Sequence, residues 1–182
     1  QAWVFRSAGP SSHAHGGGMD SRQGAAMNEP RLEIELPTRR ATTRLAARVA
    51  PHLEAGDLLV LSGALGAGKT FFVRALCRAL GLPASVPVTS PTFSLIVEHD
   101  TRPPLAHADL YRLSTPNDVQ GLGLDHQRDD GRLVVVEWGE PFLALLGGDA
   151  LILALALDPR RASFSATGSR SRRILADLAQ SG

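Results

Sequence analysis

The chain has 182 residues, long enough for one domain with a real core, and its 43% hydrophobic and 20% charged content is that of a globular protein, not a disordered or fibrous one. A net charge of +1 supplies no global basic field that would point to nucleic acid. No apolar run approaches the roughly 18 residues of a membrane span, and the single cysteine, Cys77, excludes an internal disulfide, so the composition suits a reducing cytoplasm.

Residues 1–30 read as a disordered N-terminal extension: Gly-Gly-Gly, Ser-Ser, His13 and His15, and little apolar content. The two histidines read as solvated, and Ala2 to Phe5 is too short for a signal-peptide core. The folded protein is expected to begin near Met27, with residues 31–182 as a single domain. Leu32, Ile34 and Leu36 alternate with charged residues as a half-buried strand that Pro37 ends. Thr38 is placed to cap a helix from about Arg39 to Leu53, with Leu45, Val49 and Leu53 on one face.

Leu58 to Ser62 is an apolar run, and Gly63 to Thr70 then fits G-x-x-x-x-G-K-[ST], the phosphate-binding P-loop. Gly63, Ala64, Leu65, Gly66, Ala67 and Gly68 bring backbone N–H groups against phosphate oxygens, at the positive end of the helix that follows. Lys69 reaches the β- and γ-phosphates, and the Thr70 hydroxyl is a Mg²⁺ ligand. Lys69 is the only lysine in the chain, where every other basic residue is arginine. A guanidinium does not imitate a compact ammonium on a flexible stem. The P-loop helix runs to Leu80, with Gly81 and Pro83 as stop signals and Cys77 on its core face.

Pro87 to Thr92 is a polar loop, Phe93–His99 a strand, Leu105–Asp109 another, and Pro116–Leu122 a short helix. Leu133 to Val136 is a strongly apolar strand that ends in Glu137-Trp138. A helical turn at Phe142–Leu146, strands at Ala150–Leu157 and Ala162–Thr167, and a closing helix at Arg172–Gln180 complete the chain. Helices and strands alternate early and strands dominate late. The pattern is α/β: a P-loop NTPase-like, mostly parallel sheet flanked by helices, with added antiparallel strands.

Hydrolysis at a P-loop needs an acid for Mg²⁺ and a positioned water. Glu137 and Asp109 each end an apolar strand, where ligands of parallel sheets bind, and the residues leave open which one meets the metal directly. His107, two residues before Asp109, is placed to orient that carboxylate, and Arg112 to meet a phosphate or an acid. A hydroxyl of Thr89, Ser90 or Thr92 can sense the γ-phosphate or Mg²⁺. Trp138 reads as packing on the core, the site or a partner. Arg160, Arg161, Arg170, Arg172 and Arg173, against Asp177 alone, form the one sizeable charge asymmetry, facing solvent, nucleotide, tRNA or an acidic partner.

Four blocks in order, Leu61–Thr70, Thr89–Phe93, His107–Leu113 and Val136–Glu140, resemble the TsaE (YjeE) family of bacterial P-loop ATPases of tRNA threonylcarbamoyladenosine biosynthesis. The resemblance covers about Leu32 to Arg173. It implies ATP and Mg²⁺ as cofactors, TsaB and TsaD as partners, and contact with tRNA only through that complex. By motif position it implies phosphate binding by Gly63 to Thr70, Mg²⁺-linked or catalytic roles for Glu137 and Asp109, and a switch-like role for the loop containing Thr92. It also implies an adenine-side contact from Thr42, and a less polar wall at Phe71, where a second small hydroxyl residue often follows the motif. A small-molecule kinase would leave the second and third blocks unexplained, and a GTPase would need a second lysine for its base-reading motif. A nucleotide-gated module that never hydrolyses shares all of these residues.

Overall fold

A computed structural model of the chain describes Val4–Phe5 and residues 31–181. Apart from Val4 and Phe5, the extension expected over residues 1–30 lies outside the described residues. Strands β1 (Val4–Phe5), β2 (Leu32–Glu35), β3 (Leu58–Ser62), β4 (Ile96–His99), β5 (Leu105–Asp109), β6 (Leu133–Glu137), β7 (Leu151–Leu157) and β8 (Arg160–Ala166) form one sheet in the order β1-β2-β8-β7-β3-β6-β5-β4. The centre, β7-β3-β6-β5, is parallel, and β4, β8 and β1 each pair antiparallel with a neighbour. This is the mostly parallel sheet with antiparallel additions that the sequence pattern predicts.

Strands β3, β5 and β6 are buried along their whole length because helices cover both faces of the sheet. Leu59 and Leu61 of β3 pack on one side with α1 (Arg39–Val49), α2 (Lys69–Ala79) and α5 (Ser169–Gln180). Leu58 and Val60 pack on the other with α3 (Pro116–Gln120), α4 (Leu124–Asp129) and the turns after β6. Each such side chain, fully buried, contributes on the order of 1.5–3 kcal/mol. α1 starts where Thr38 accepts the Ala41 N–H at 3.1 Å, and it gives way to a 3₁₀ turn, Ala50–His52, at Pro51. Cys77 lies wholly inside the helix-bearing core, and burial pushes its thiol up to about 11.

Several boundaries differ from the sequence reading; β8, for one, opens at Arg160 and not Ala162. The strand expected from Phe93 begins only at Ile96, because Leu95 N–H bonds back to Pro91 O at 2.6 Å and Leu95 adopts φ +65°. That turn leaves Phe93 outside the sheet and 90% exposed. The short helix at Pro116 stops at Gln120, and a second one, α4, follows it. α4 is anchored by the buried Leu124 alone, so it carries no apolar periodicity to read. α5 starts at Ser169, not Arg172, because Asp149 caps it from outside. Its Oδ2 accepts Arg170 N–H and its Oδ1 accepts Ser171 N–H, both at 2.9 Å.

Candidate functional site

The loop between β3 and α2 is built by close backbone approaches. A Cβ on Gly63, at φ +127°, would sit 2.2 Å from Leu155 O of the neighbouring strand, so only glycine fits there. Gly68, at φ +105°, turns the chain directly into α2, and a Cβ there would meet nothing within 4 Å. Ala67 N–H donates to Ala64 O at 3.1 Å, while the amides of Leu65, Gly66 and Gly68 have no acceptor among the described residues. A concave run of free N–H groups at a helix start is a receptor for phosphate oxygens.

The side chains converge on the same place. Lys69, 4% exposed, folds over the loop and donates from Nζ to Gly63 O at 2.7 Å and Ala64 O at 3.1 Å. Its Nζ also lies 3.8 Å from the centre of the Trp138 ring, which packs on Tyr111 at 5.0 Å. Burial draws the ammonium below its usual pKa, against the opposing charges of Glu137 and Asp109. Thr70 Oγ1 donates to Glu137, lying 2.8 Å from Oε1 and 3.0 Å from Oε2. Parallel pairing of β5 and β6 sets Asp109 directly beside Glu137, both nearly buried. Asp109 Oδ2 accepts from Ser90 Oγ and from Thr92 Oγ1, the latter at 2.7 Å, and Oδ1 accepts Tyr111 N–H at 2.9 Å. The cleft has a volume of about 320 Å³, and Gly68, Thr70, Phe71, Thr92, Asp109 and Glu137 are among its walls.

Several expected roles are relocated. His107 serves Glu137 and not Asp109: its Nε2 is 2.9 Å from Glu137 Oε1. In the parallel register His107 stands opposite Val135, so the residue two further along β6, Glu137, shares its face of the sheet. Thr42 is not a wall of this cleft. It lies 2% exposed on the core side of α1, its hydroxyl without a partner among the described residues, while Arg39 one turn earlier stacks 5.8 Å from the Phe71 ring centre. Arg112 stacks on Phe93 at 5.2 Å. The C-terminal arginines do not form one patch. Arg160 and Arg161 open β8 at the P-loop edge of the sheet, and Arg160 donates to Leu36 O at 3.3 Å. Arg170 opens α5 at the opposite edge, with two guanidinium bonds to Asp57, each 2.9 Å, and a third to His52 O at 3.1 Å. Sequence reasoning missed Tyr111 as a wall, for which the signal was proximity to the strand-end carboxylate Asp109; Trp138, left open between core, site and partner, packs at the site over Lys69.

Strand, glycine loop, helix and strand-end carboxylates in this arrangement define the P-loop nucleoside-triphosphatase class of α/β proteins. The family model described as "Threonylcarbamoyl adenosine biosynthesis protein TsaE" matches residues 36–163, and the chain belongs to that family. The TsaE protein of Streptomyces coelicolor is 45% identical over 115 residues, 61% of this chain and 76% of that protein. The TsaE protein of Bacillus subtilis is 33% identical over 143 residues, 76% of this chain and 88% of that one. The crystal structure of YdiB from B. subtilis superposes with a TM-score of 0.66 at 28% identity, covering 84% of this chain and 97% of that one.

The residues present fit Mg²⁺ carried by a nucleotide. Mg²⁺ takes one or two carboxylates, a hydroxyl, waters and substrate phosphates, not an all-protein cage. Thr70, Glu137 and Asp109 offer that donor set beside free loop amides.

Proposed function

We propose that the chain binds ATP with Mg²⁺ in this cleft and hydrolyses it slowly, as the ATPase subunit of the machinery that places threonylcarbamoyl on the tRNA adenosine next to the anticodon. TsaB and TsaD are its proposed partners, and tRNA is met through them. The single observation that carries this reading is the convergence of Lys69, Thr70, Asp109 and Glu137 on one cleft at the P-loop. None of the described helices is long and apolar enough to cross a membrane.

In this reading the loop amides and Lys69 hold the β- and γ-phosphates and counter the charge that develops on them. Lys69 exchanges its bonds to Gly63 O and Ala64 O for phosphate oxygens. The Thr70 oxygen would be a ligand for the metal, with its hydrogen kept on Glu137. Mg²⁺, when bound, neutralises phosphate charge and fixes the in-line geometry. Asp109 orients the attacking water once Ser90 and Thr92 release it, which couples the 89–95 loop to the state of the γ-phosphate.

The test is turnover and capture in parallel. Immobilised TsaB and TsaD should retain the chain in an ATP-dependent way, and Glu137→Ala should lower the steady-state ATPase rate at least tenfold while changing nucleotide affinity much less. Nucleotide binding with no turnover, with or without partners, would make the chain a non-hydrolysing nucleotide-gated module. ATP-dependent phosphorylation of a metabolite, with no capture, would make it a kinase.

A further inference from the structure

We propose that His107 is a positioning residue: it holds the Glu137 carboxylate in the one orientation from which it can meet the metal. The inference rests on the reading of Glu137 as metal-linked.

Glu137 is a carboxylate with 4% side-chain exposure, so water does little to satisfy it. Two side-chain donors reach it, and they come from different bodies. Thr70 arrives from the first turn of α2, and its oxygen is also offered to the metal. His107 arrives from β5, a strand bonded on both sides, to β4 and to β6. The imidazole is the donor that the metal does not share. Its side chain is completely buried, and Nε2 to Glu137 Oε1, at 2.9 Å, is its hydrogen bond. The other ring nitrogen, Nδ1, is buried and has no partner among the described residues, and the His99 ring is 6.2 Å away between centroids. The imidazole donates Nε2–H to the carboxylate from a buried position on a central strand. Partners behind a metal-ligating carboxylate set its orientation, and their loss costs 10–100-fold in metal affinity.

The two amides that can replace the imidazole separate positioning from packing. Glutamine places an N–H at the ε position and can still reach Oε1; asparagine is one methylene shorter and cannot. The measurement is the affinity of the full chain for a fluorescent ATP analogue, titrated with MgCl₂ and repeated in EDTA. His107→Asn should raise the Mg²⁺ midpoint about tenfold or more. Its affinity in EDTA should stay within about twofold of the unaltered chain. His107→Gln should keep a midpoint within about threefold. An unchanged midpoint in His107→Asn overturns the proposal. So does equal damage in both variants that extends to the EDTA affinity, since that is a packing defect. Glu137→Gln is titrated beside them. If its midpoint does not move, Glu137 is not metal-linked and both readings fall. If it moves while His107→Asn matches the unaltered chain, only the role of His107 falls.

Discussion

Lys69 is held in a state that suits exchange. Its ammonium is buried, bonded to two carbonyls of its own loop and covered by Trp138, with two carboxylates nearby. Those contacts satisfy a desolvated charge without a committed ion pair, and a phosphate can replace the carbonyls at small cost. The glycines of the loop divide by what surrounds them. Gly63→Ala drives a methyl into Leu155 O at 2.2 Å on a backbone at φ +127°, and should cost about 2 kcal/mol or more of stability. Gly66→Ala meets nothing within 4 Å and carries only left-handed strain, about 1–2 kcal/mol. Urea unfolding of the two variants checks the order: Gly63→Ala must be the less stable.

Two elements are held by single carboxylates. The 89–95 loop is latched on Asp109 by Ser90 and Thr92, which share Oδ2. Because the bonds are parallel, Ser90→Ala or Thr92→Val alone should leave the loop closed. The double variant should raise amide hydrogen exchange across 89–95 at least tenfold, with β5 and β6 unchanged. At the other edge of the sheet, Asp149 caps α5. Burial would raise its pKa, but the hydroxyl and N–H of Ser171, the N–H of Arg170 and the charge of Arg128 outweigh it, and the carboxyl lies below its ordinary value of 3.8. A depressed folded-state pKa means the cap contributes fully above the unfolded pKa and is lost as pH falls through the folded one. Asp149→Ala should therefore cost about 1 kcal/mol at neutral pH. That difference from the unaltered chain should shrink below pH 3.8, as read by thermal unfolding across pH.

At the scale of the molecule, the proposed nucleotide binding would be linked to folding, because the cleft joins β3, α2, β5 and β6 and exists only when they are assembled. ATP with Mg²⁺ at a hundredfold excess over its Kd should stabilise the chain by about 2.7 kcal/mol, a rise in Tm of roughly 5–10 °C. Lys69→Ala should fold and show no such rise; an equal rise in that variant would remove the P-loop from the proposed site. The net charge of +1 hides a division between faces. α1 and α2 carry arginines and no acid, and α5 carries one acid, Asp177, while α3 and α4 carry Asp118, Asp125 and Asp129. Summed charge thus says little about the local field of this domain.

The P-loop, its lysine and threonine, the two strand-end carboxylates and the α/β class were legible in the chain. Each is a local pattern: glycine spacing forced by backbone approach, or an apolar run ended by an acid. The loop hydroxyls were legible as candidates, and their joint attachment to Asp109 was not. Tertiary structure alone decided what depends on register and on contacts distant in sequence. Parallel pairing of β5 with β6 sent His107 to Glu137 instead of Asp109. Packing of α1 on α2 put Thr42 in the core and Arg39 against Phe71. The path of β8 and α5 divided the C-terminal arginines between opposite edges of the sheet. The sequence alone named the groups that can do the chemistry; which of them touch one another was set by strand order and register, because a side chain's partner lies across the sheet and not along the chain.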